Sequence, residues 1–207
     1  MKIPAGGEWF DDFLAGFTAY YLTSLPVLLG VLFGVNCLPQ TDPGGDLVSA
    51  CFHFDALHYR RIFWAGYSYD PAQRSTVAFF PAYPLLGRGL RRYMGLPPEE
   101  AALLASHAAL LGAFVLLARY VRLRWPQATA EQRAVVLAIF GLWPMGLFFR
   151  MPYAESLFVC FTLAVLYGMA RGWPLTALAL LAGFVTAIRP VGLALSVAFP
   201  KSDLVER

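Results

Sequence analysis

Five ionisable residues in three separated segments have the side-chain types that proton transfer and anion binding require: Asp55, His58, Arg150, Glu155 and Arg189. A carboxylate can accept a proton from a hydroxyl, and a guanidinium group can bind anionic oxygens through paired hydrogen bonds. The sequence around them is strongly apolar. Because an ionisable group near a hydrocarbon boundary is costly, it usually pairs with another charge or serves a pathway or a site.

Each of these residues also has a purely structural interpretation. Asp55 could be a solvated acid that supports a helix, and His58 could be a packed or hydrogen-bonding histidine. Glu155 could form an ion pair with Arg150 or Arg189 that holds helix ends together. Position along the chain leaves both interpretations open.

The composition predicts that these residues belong to a membrane protein. Hydrophobic residues make up 58% of the 207 residues and charged residues only 14%, whereas soluble domains average about 25% charged residues. The mean hydropathy is +0.58. The net charge of +3 is too small and too dispersed to indicate a nucleic-acid partner.

The cysteines and acids show no spacing that is typical of a metal site. The three cysteines form no CxxC or Cys/His pattern, and no Asp-x-Asp pair occurs. We therefore expect no metal. Cys37 and Cys51 lie in one loop, where they could form a disulfide or remain two thiols.

Apolar runs predict an all-α, polytopic membrane protein with five spans. The first run has 23 uncharged residues, which as a helix extend about 34 Å and cross the hydrocarbon. Residues 191–200 are apolar but too short to span, and we expect them to begin a sixth helix. The five predicted spans are residues 13–35, 101–121, 134–149, 152–170 and 173–188.

Arginines in two short loops predict the orientation, because short basic loops stay in the cytoplasm. The long loop at residues 36–100 then faces outwards, together with all five ionisable residues. Within this outer loop, Leu47–Tyr67 and Pro84–Tyr93 are typical of helices lying along the membrane surface. The orienting arginines are Arg122, Arg124, Arg133 and Arg171.

Four short blocks, in this order, are similar to a known family: FDALHY at 54–59, AFFPAYP at 78–84, PYAES at 152–156 and RPVG at 189–192. They resemble the second mannosyltransferase of GPI-anchor assembly and its bacterial relatives, within the GT-C superfamily of polytopic glycosyltransferases. The resemblance covers roughly residues 50–195. Phe54 departs from it, since the family usually has tryptophan before the aspartate. Family members also continue through further spans, so the resemblance implies the N-terminal part of a GT-C fold.

The resemblance implies a reaction as well as a fold. It indicates a glycosyltransferase that moves mannose from a polyprenyl-phosphate donor to an acceptor hydroxyl on the outer or lumenal side, with inversion. The lipid-linked sugar is a co-substrate, and no cofactor is implied. Expected partners are membrane lipids, the polyprenyl-phosphate sugar and a glycolipid or glycan acceptor. The Ala/Leu/Gly/Arg-rich character favours a bacterial inner membrane, and a eukaryotic host would imply the endoplasmic reticulum membrane.

The resemblance also implies roles for individual residues. Asp55 matches the position of the family's essential acid and would be the general base that deprotonates the acceptor hydroxyl. Cations would stabilise the phosphate leaving group as its charge grows. The residues implied in substrate binding are His58 and Tyr59 beside the acceptor, and Arg150, Glu155 and Arg189 beside the donor.

Two other hypotheses remain open at this point. The same charges could line the pathway of a transporter or flippase fragment, although no internal repeat of the spans is visible. The chain could also be a truncated, inactive half of a GT-C fold. The transferase is the hypothesis that the four blocks favour.

Overall fold

A computed structural model describes residues 6–37, 48–72 and 75–198 of the chain. These residues form α-helices and short 3-10 segments, with no strand among them, so the predicted all-α class is confirmed. The 3-10 segments are Ser49–Cys51, Thr76–Ala78 and Pro190–Ala198. The helices are α1 (Gly6–Cys37), α2 (Asp55–Ala65), α3 (Ala82–Met94), α4 (Pro98–Arg124), α5 (Ala130–Leu142), α6 (Gly146–Arg150), α7 (Glu155–Ala170) and α8 (Leu175–Ile188).

The central helix of the bundle is α4, which packs against α1, α2, α3, α5, α6 and α7. It begins with a proline and two acids and ends with two arginines, an order that suits the helix dipole. Small residues allow neighbouring helices to approach closely. The buried alanines of α4 are Ala101, Ala102, Ala105, Ala109, Ala113 and Ala118.

Contacts along α4 show that α1 runs antiparallel to it. Asp12, near the start of α1, forms an ion pair with Arg122 near the end of α4. Further along α1, the Tyr20 hydroxyl lies 2.8 Å from Nδ1 of His107, which is nearer the start of α4. The C-terminal half of α1 therefore lies beside the N-terminal half of α4.

Contacts with α4 show that α7 runs parallel to it, with α5 and α6 between them in the chain. Arg119, late in α4, donates to the hydroxyl of Tyr167, late in α7, and Ser106, early in α4, donates to the carbonyl of Tyr153 just before α7. α8 then returns, so that Arg189 after α8 is again beside the start of α7. The four orienting arginines of the short loops, Arg122, Arg124, Arg133 and Arg171, thus lie at one end of the bundle, which we call the arginine-rich end. α2 and α3 lie at the opposite end.

Among the described helices, α1 and α4 are long and apolar enough to cross a membrane. In their most apolar stretches, half of the α4 residues are buried but only 6% of those of α1. α7 and α8 are apolar but shorter. Most of the apolar surface of α1 is therefore uncovered by the described part of the chain, as Leu22, Leu29 and Phe33 illustrate.

The third predicted span, 134–149, is divided in the structure. α5 begins with a capping box, in which Thr129 and Gln132 each accept a backbone N–H from the other, and it ends at Leu142. Pro144 has no N–H and cannot continue the helix, so the chain turns before the short α6. At 13 residues, α5 is about 20 Å long, shorter than the hydrocarbon is thick.

The predicted surface helix Leu47–Tyr67 is also interrupted. Only α2 is α-helical, because Phe54 has φ 49° and ψ −120°, a backbone conformation that no helix contains. α2 ends at Ala65, and the next residue, Gly66, has a φ of 88° that does not continue the helix. The second predicted surface helix, Pro84–Tyr93, lies within α3.

Two further predictions involve the ends of segments. The apolar segment 191–200 forms 3-10 turns as far as Ala198 rather than an α-helix. Residue 47 and residues 199–200 lie outside the described residues.

Cys37 and Cys51 are not joined by a disulfide.

The contact between α1 and α4 yields a first prediction. A Cβ at Gly16 would lie 2.8 Å from the backbone of Val115, so Gly16→Ala should force the helices apart and lower the free energy of unfolding by about 1–3 kcal/mol. Gly30→Ala is the matched control, since a Cβ there meets nothing within 4 Å. Equilibrium unfolding in mixed detergent micelles measures both, and equal stabilities would show that this close approach is absent.

Candidate functional site

Asp55 is the first residue of α2, and its side chain is exposed. An acid in this position interacts favourably with the helix dipole, which is the structural role open to it. Within the described residues, the Asp55 carboxylate makes no hydrogen bond or ion pair. Its oxygens are therefore available to accept a proton from a ligand.

The turn before Asp55 is fastened to the start of α7. The Tyr153 hydroxyl donates to the carbonyl of His53 at 2.8 Å, and the same carbonyl accepts the N–H of Ala56 at 3.1 Å. Tyr153 precedes Glu155 by two residues. This bond therefore places the N-terminal ends of α2 and α7 next to each other.

Glu155 pairs with Arg189 rather than with Arg150. Nη1 of Arg189 lies 2.8 Å from Oε1 of Glu155, and the two side chains are 43% and 26% exposed. Because solvent screens a pair of this exposure, it contributes little to stability. It does hold the end of α8 against the start of α7 while leaving the guanidinium accessible.

The Tyr59 phenol experiences the charges of Asp55, Glu155 and Arg189 together. Burial raises the pKa of the Tyr59 phenol, the negative charges of Glu155 and Asp55 raise it further, and the positive charge of Arg189 opposes them. All three charged groups therefore lie within electrostatic range of one phenol. We call Asp55, Tyr59, Glu155 and Arg189 the acid–arginine cluster.

A buried hydrogen-bond network lies beneath the cluster. The ring of Tyr83 packs edge-on against Tyr59, and its hydroxyl lies 2.9 Å from Oγ of Ser106 and 3.1 Å from the carbonyl oxygen of Ala102. Ser106 also donates to the carbonyl of Tyr153 at 3.2 Å. Buried hydroxyls require such partners, so the network fixes α3, α4 and the start of α7 relative to one another.

Arg150 lies apart from the cluster and is only 6% exposed. Its guanidinium donates to Oγ1 of Thr23 at 2.8 Å and to Oγ of Ser24 at 3.0 Å, both in α1. It also donates to the carbonyls of Gly141 at 3.2 Å and Gly146 at 2.9 Å. These bonds connect α1 to the break between α5 and α6, so the predicted grouping of Arg150 with the donor-site residues is not observed.

His58 is partly buried and packs against an aromatic ring. Its imidazole stacks on Phe79 with centroids 5.2 Å apart and an angle of 30° between the planes. Phe79 also packs edge-on against Tyr59. His58 therefore lies beside the cluster as a packed residue that supports the same aromatic group.

Three residues of this site were not singled out from the sequence: Tyr83, Ser106 and Tyr153. Tyr83 and Tyr153 do occur in the motif blocks, each next to a proline, which could have indicated aromatic residues held at a turn. Ser106 is the only serine or threonine of the apolar helix α4, and this is the signal that could have found it. Their mutual contacts join segments far apart in sequence, which no local pattern reveals.

Among the described residues, no group of three or more His, Cys, Asp or Glu side chains could hold a metal ion. Comparisons with protein-family models, with curated proteins and with solved structures found no match to the chain. The same end of the bundle carries an exposed carboxylate, which can accept a proton, and an accessible guanidinium, which can bind an anionic group.

The environment of Tyr59 predicts a loss of stability at high pH. The phenol titrates near pH 10 in the unfolded chain but at higher pH in the folded protein. Its contribution is therefore complete below pH 10 and is lost as the pH rises above that value. Tyr59→Phe should reduce the slope of unfolding free energy against pH above pH 10 by up to about 1.4 kcal/mol per pH unit.

Denaturant titrations of the purified protein between pH 8 and pH 11 measure this slope. Tyr93→Phe is the control, because Tyr93 is 88% exposed and the substitution should leave the slope as in the wild type. An unchanged slope in Tyr59→Phe would contradict the burial of the phenol among these charges.

Proposed function

We propose that this protein is a multi-pass membrane glycosyltransferase of the GT-C type. It moves a sugar, mannose, from a polyprenyl-phosphate donor to a hydroxyl of a glycolipid or glycan, with inversion. The observation that carries the proposal is the acid–arginine cluster, in which the Tyr153–His53 hydrogen bond joins the start of α7 to the turn before Asp55 and the Glu155–Arg189 ion pair joins α7 to the end of α8. Transfer from a lipid phosphate requires a base for the acceptor and a cation for the leaving group, and the cluster offers both.

The proposed topology has α1, α4, α5 with α6, α7 and α8 crossing the membrane. Short basic loops stay in the cytoplasm, so the arginine-rich end is cytoplasmic. The cluster, α2 and α3 then lie on the outer side, where a lipid-linked sugar would be presented. A bacterial inner membrane is the proposed location, with the endoplasmic reticulum as its eukaryotic equivalent.

Asp55 is the proposed general base. A hydroxyl is a weak nucleophile, and a carboxylate within hydrogen-bond reach takes its proton as the oxygen attacks. The new bond forms between the acceptor oxygen and the anomeric carbon as the bond from that carbon to the phosphate oxygen breaks. The proton goes to Asp55, and attack from the side opposite the phosphate inverts the configuration.

Arg189 is the proposed anion-binding group for the donor phosphate. The departing polyprenyl phosphate gains negative charge, which a prearranged guanidinium stabilises in the transition state. Glu155 orients that guanidinium through Nη1, and the other N–H groups remain for phosphate oxygens. His58 and Tyr59 shape the acceptor side, and Arg150 supports the fold instead of contacting the donor.

Replacing the base gives the direct test of this proposal. Asp55→Asn should lower the rate of sugar transfer by about 10²–10⁴-fold, because the amide cannot take the proton. Asp70→Asn is the matched control: Asp70 lies in the same loop and accepts the N–H of Ala72. Transfer of radiolabelled sugar from polyprenyl-phosphate mannose in proteoliposomes measures both variants, and near-wild-type transfer by Asp55→Asn would refute the assignment.

Arg189 permits a second test on the donor. Arg189→Gln should lower kcat/KM for the donor on the order of 10²-fold. Arg189→Lys should lose less, since it keeps the charge but not the paired donors. Arg171→Gln, at the arginine-rich end, should leave transfer unchanged. Equal losses in Arg189→Gln and Arg171→Gln would indicate a general effect of charge and not recognition of the phosphate.

A further inference from the structure

A groove between α1, α4 and α5 begins at the arginine-rich end of the bundle, opposite the acid–arginine cluster. Its volume is about 620 Å³, within the range of about 300–1,000 Å³ that is usual for ligand sites. Most of its walls are aliphatic, since Leu14, Leu22 and Leu137 line it together with several alanines. These walls are suited to a hydrocarbon chain.

In the proposed topology, this groove runs from the membrane surface towards the middle of the bilayer. Asp11 lies just before the uncharged run of α1 that begins at Phe13, so it marks the boundary of the hydrocarbon. Trp9, two residues earlier, has an exposed ring, and tryptophan is enriched at membrane interfaces. From Asp11 to Leu22, α1 extends about 17 Å, which is close to half of a hydrocarbon layer of about 30 Å. The groove therefore has the depth of one leaflet.

Four charged side chains line the shallow end of the groove: Asp11, Asp12, Arg122 and Arg133. Asp12 and Arg122 form an ion pair with each other, so their charges are matched within the protein. Within the described residues, the side chains of Asp11 and Arg133 make no hydrogen bond or ion pair. The shallow end therefore offers a ligand one carboxylate and one guanidinium.

This pair of charges is complementary to a zwitterionic headgroup. A guanidinium binds two phosphate oxygens through paired N–H groups, and a carboxylate accepts from a primary ammonium, which has three N–H donors. A quaternary ammonium has no N–H and is typically bound by aromatic rings, whereas none of the described residues that line the groove is aromatic. A purely anionic headgroup would leave the carboxylate without a partner. The charges therefore favour a phosphate joined to a primary amine.

We infer that this groove binds phosphatidylethanolamine from the cytoplasmic leaflet. The phosphate lies at Arg133 and the ammonium at Asp11, while an acyl chain follows the aliphatic wall of α1 towards Leu22. The headgroup is then at the membrane surface and the chain points to the middle of the bilayer, which is the orientation that the lipid already has in its leaflet. The inference rests on the proposed membrane topology and not on sugar transfer, so either can fail without the other.

The preference for an amine can be tested by reversing the charge at Asp11. Purified protein in neutral detergent is heated with phosphatidylethanolamine, phosphatidylcholine or phosphatidylglycerol of the same acyl chains. In the wild type, phosphatidylethanolamine at about 100 times its Kd should raise Tm by about 5–10 °C. The other two lipids at equal concentration should raise Tm by less than half as much.

Asp11→Lys replaces the carboxylate by a second cation, so phosphatidylglycerol should then raise Tm more than phosphatidylethanolamine does. Glu8→Lys is the matched control, since it makes the same change of charge one turn earlier in α1. Glu8 is exposed and does not line the groove. Glu8→Lys should therefore keep the preference of the wild type for phosphatidylethanolamine.

The groove itself can be tested at two neighbouring residues of α5. Ala134 lines the groove, so Ala134→Trp should fill it and abolish the rise in Tm with phosphatidylethanolamine. Val135 is 56% exposed and does not line the groove, so Val135→Trp should keep the full shift. This pair tests the site even if Asp11→Lys fails to fold.

Three results would overturn the inference. Phosphatidylcholine could raise the Tm of the wild type as much as phosphatidylethanolamine does, which would mean that Asp11 selects no primary amine. Ala134→Trp and Val135→Trp could respond equally to phosphatidylethanolamine, which would place the lipid elsewhere. The detergent-solubilised protein could be a dimer that Ala134→Trp dissociates, which would assign the groove to a second copy of the chain.

Discussion

A guanidinium group buried in an apolar bundle requires hydrogen-bond acceptors. For Arg150, two of these acceptors lie where the helix is interrupted between α5 and α6. Pro144 interrupts the helical segment after α5 and leaves the last carbonyls of α5 without helical partners. The carbonyls of Gly141 and Gly146, on either side of this break, accept from Arg150. The Arg150 guanidinium therefore donates to carbonyls on both sides of the helix interruption. The Thr23 hydroxyl of α1 accepts from the same guanidinium.

The position of the candidate site depends on this anchor. Only four residues separate Arg150 from Glu155. The hydrogen bonds of Arg150 therefore also restrict the position of the turn that contains Tyr153 and leads to Glu155. The hydroxyls of Tyr83 and Ser106 then hold the other side of that turn. The rigid part of the site is thus buried beneath Tyr59, while the carboxylates and the guanidinium above it remain accessible.

The two arginines of the predicted site show how environment separates residues of one type. Arg150 is 6% exposed and donates only to neutral acceptors, so its charge supports the fold. Arg189 is partly exposed and paired with a carboxylate, so its fork is oriented and accessible. Burial and partner, and not residue type, distinguish an architectural cation from one suited to a phosphate.

The helical class follows from the amino-acid sequence, because long apolar runs, prolines and flanking charges act locally. α1, α4, α7 and α8 each contain most of a predicted span, and the orienting arginines belong to short loops. Pro144 likewise marks locally where the third segment breaks, whereas the partner of Glu155 and the hydroxyls that support Tyr59 follow only from the three-dimensional packing. Those choices depend on distances between segments far apart in the chain, and a local pattern of hydropathy carries no information about them. The side chains with such long-range contacts are Tyr83, Ser106, Arg150, Tyr153, Glu155 and Arg189.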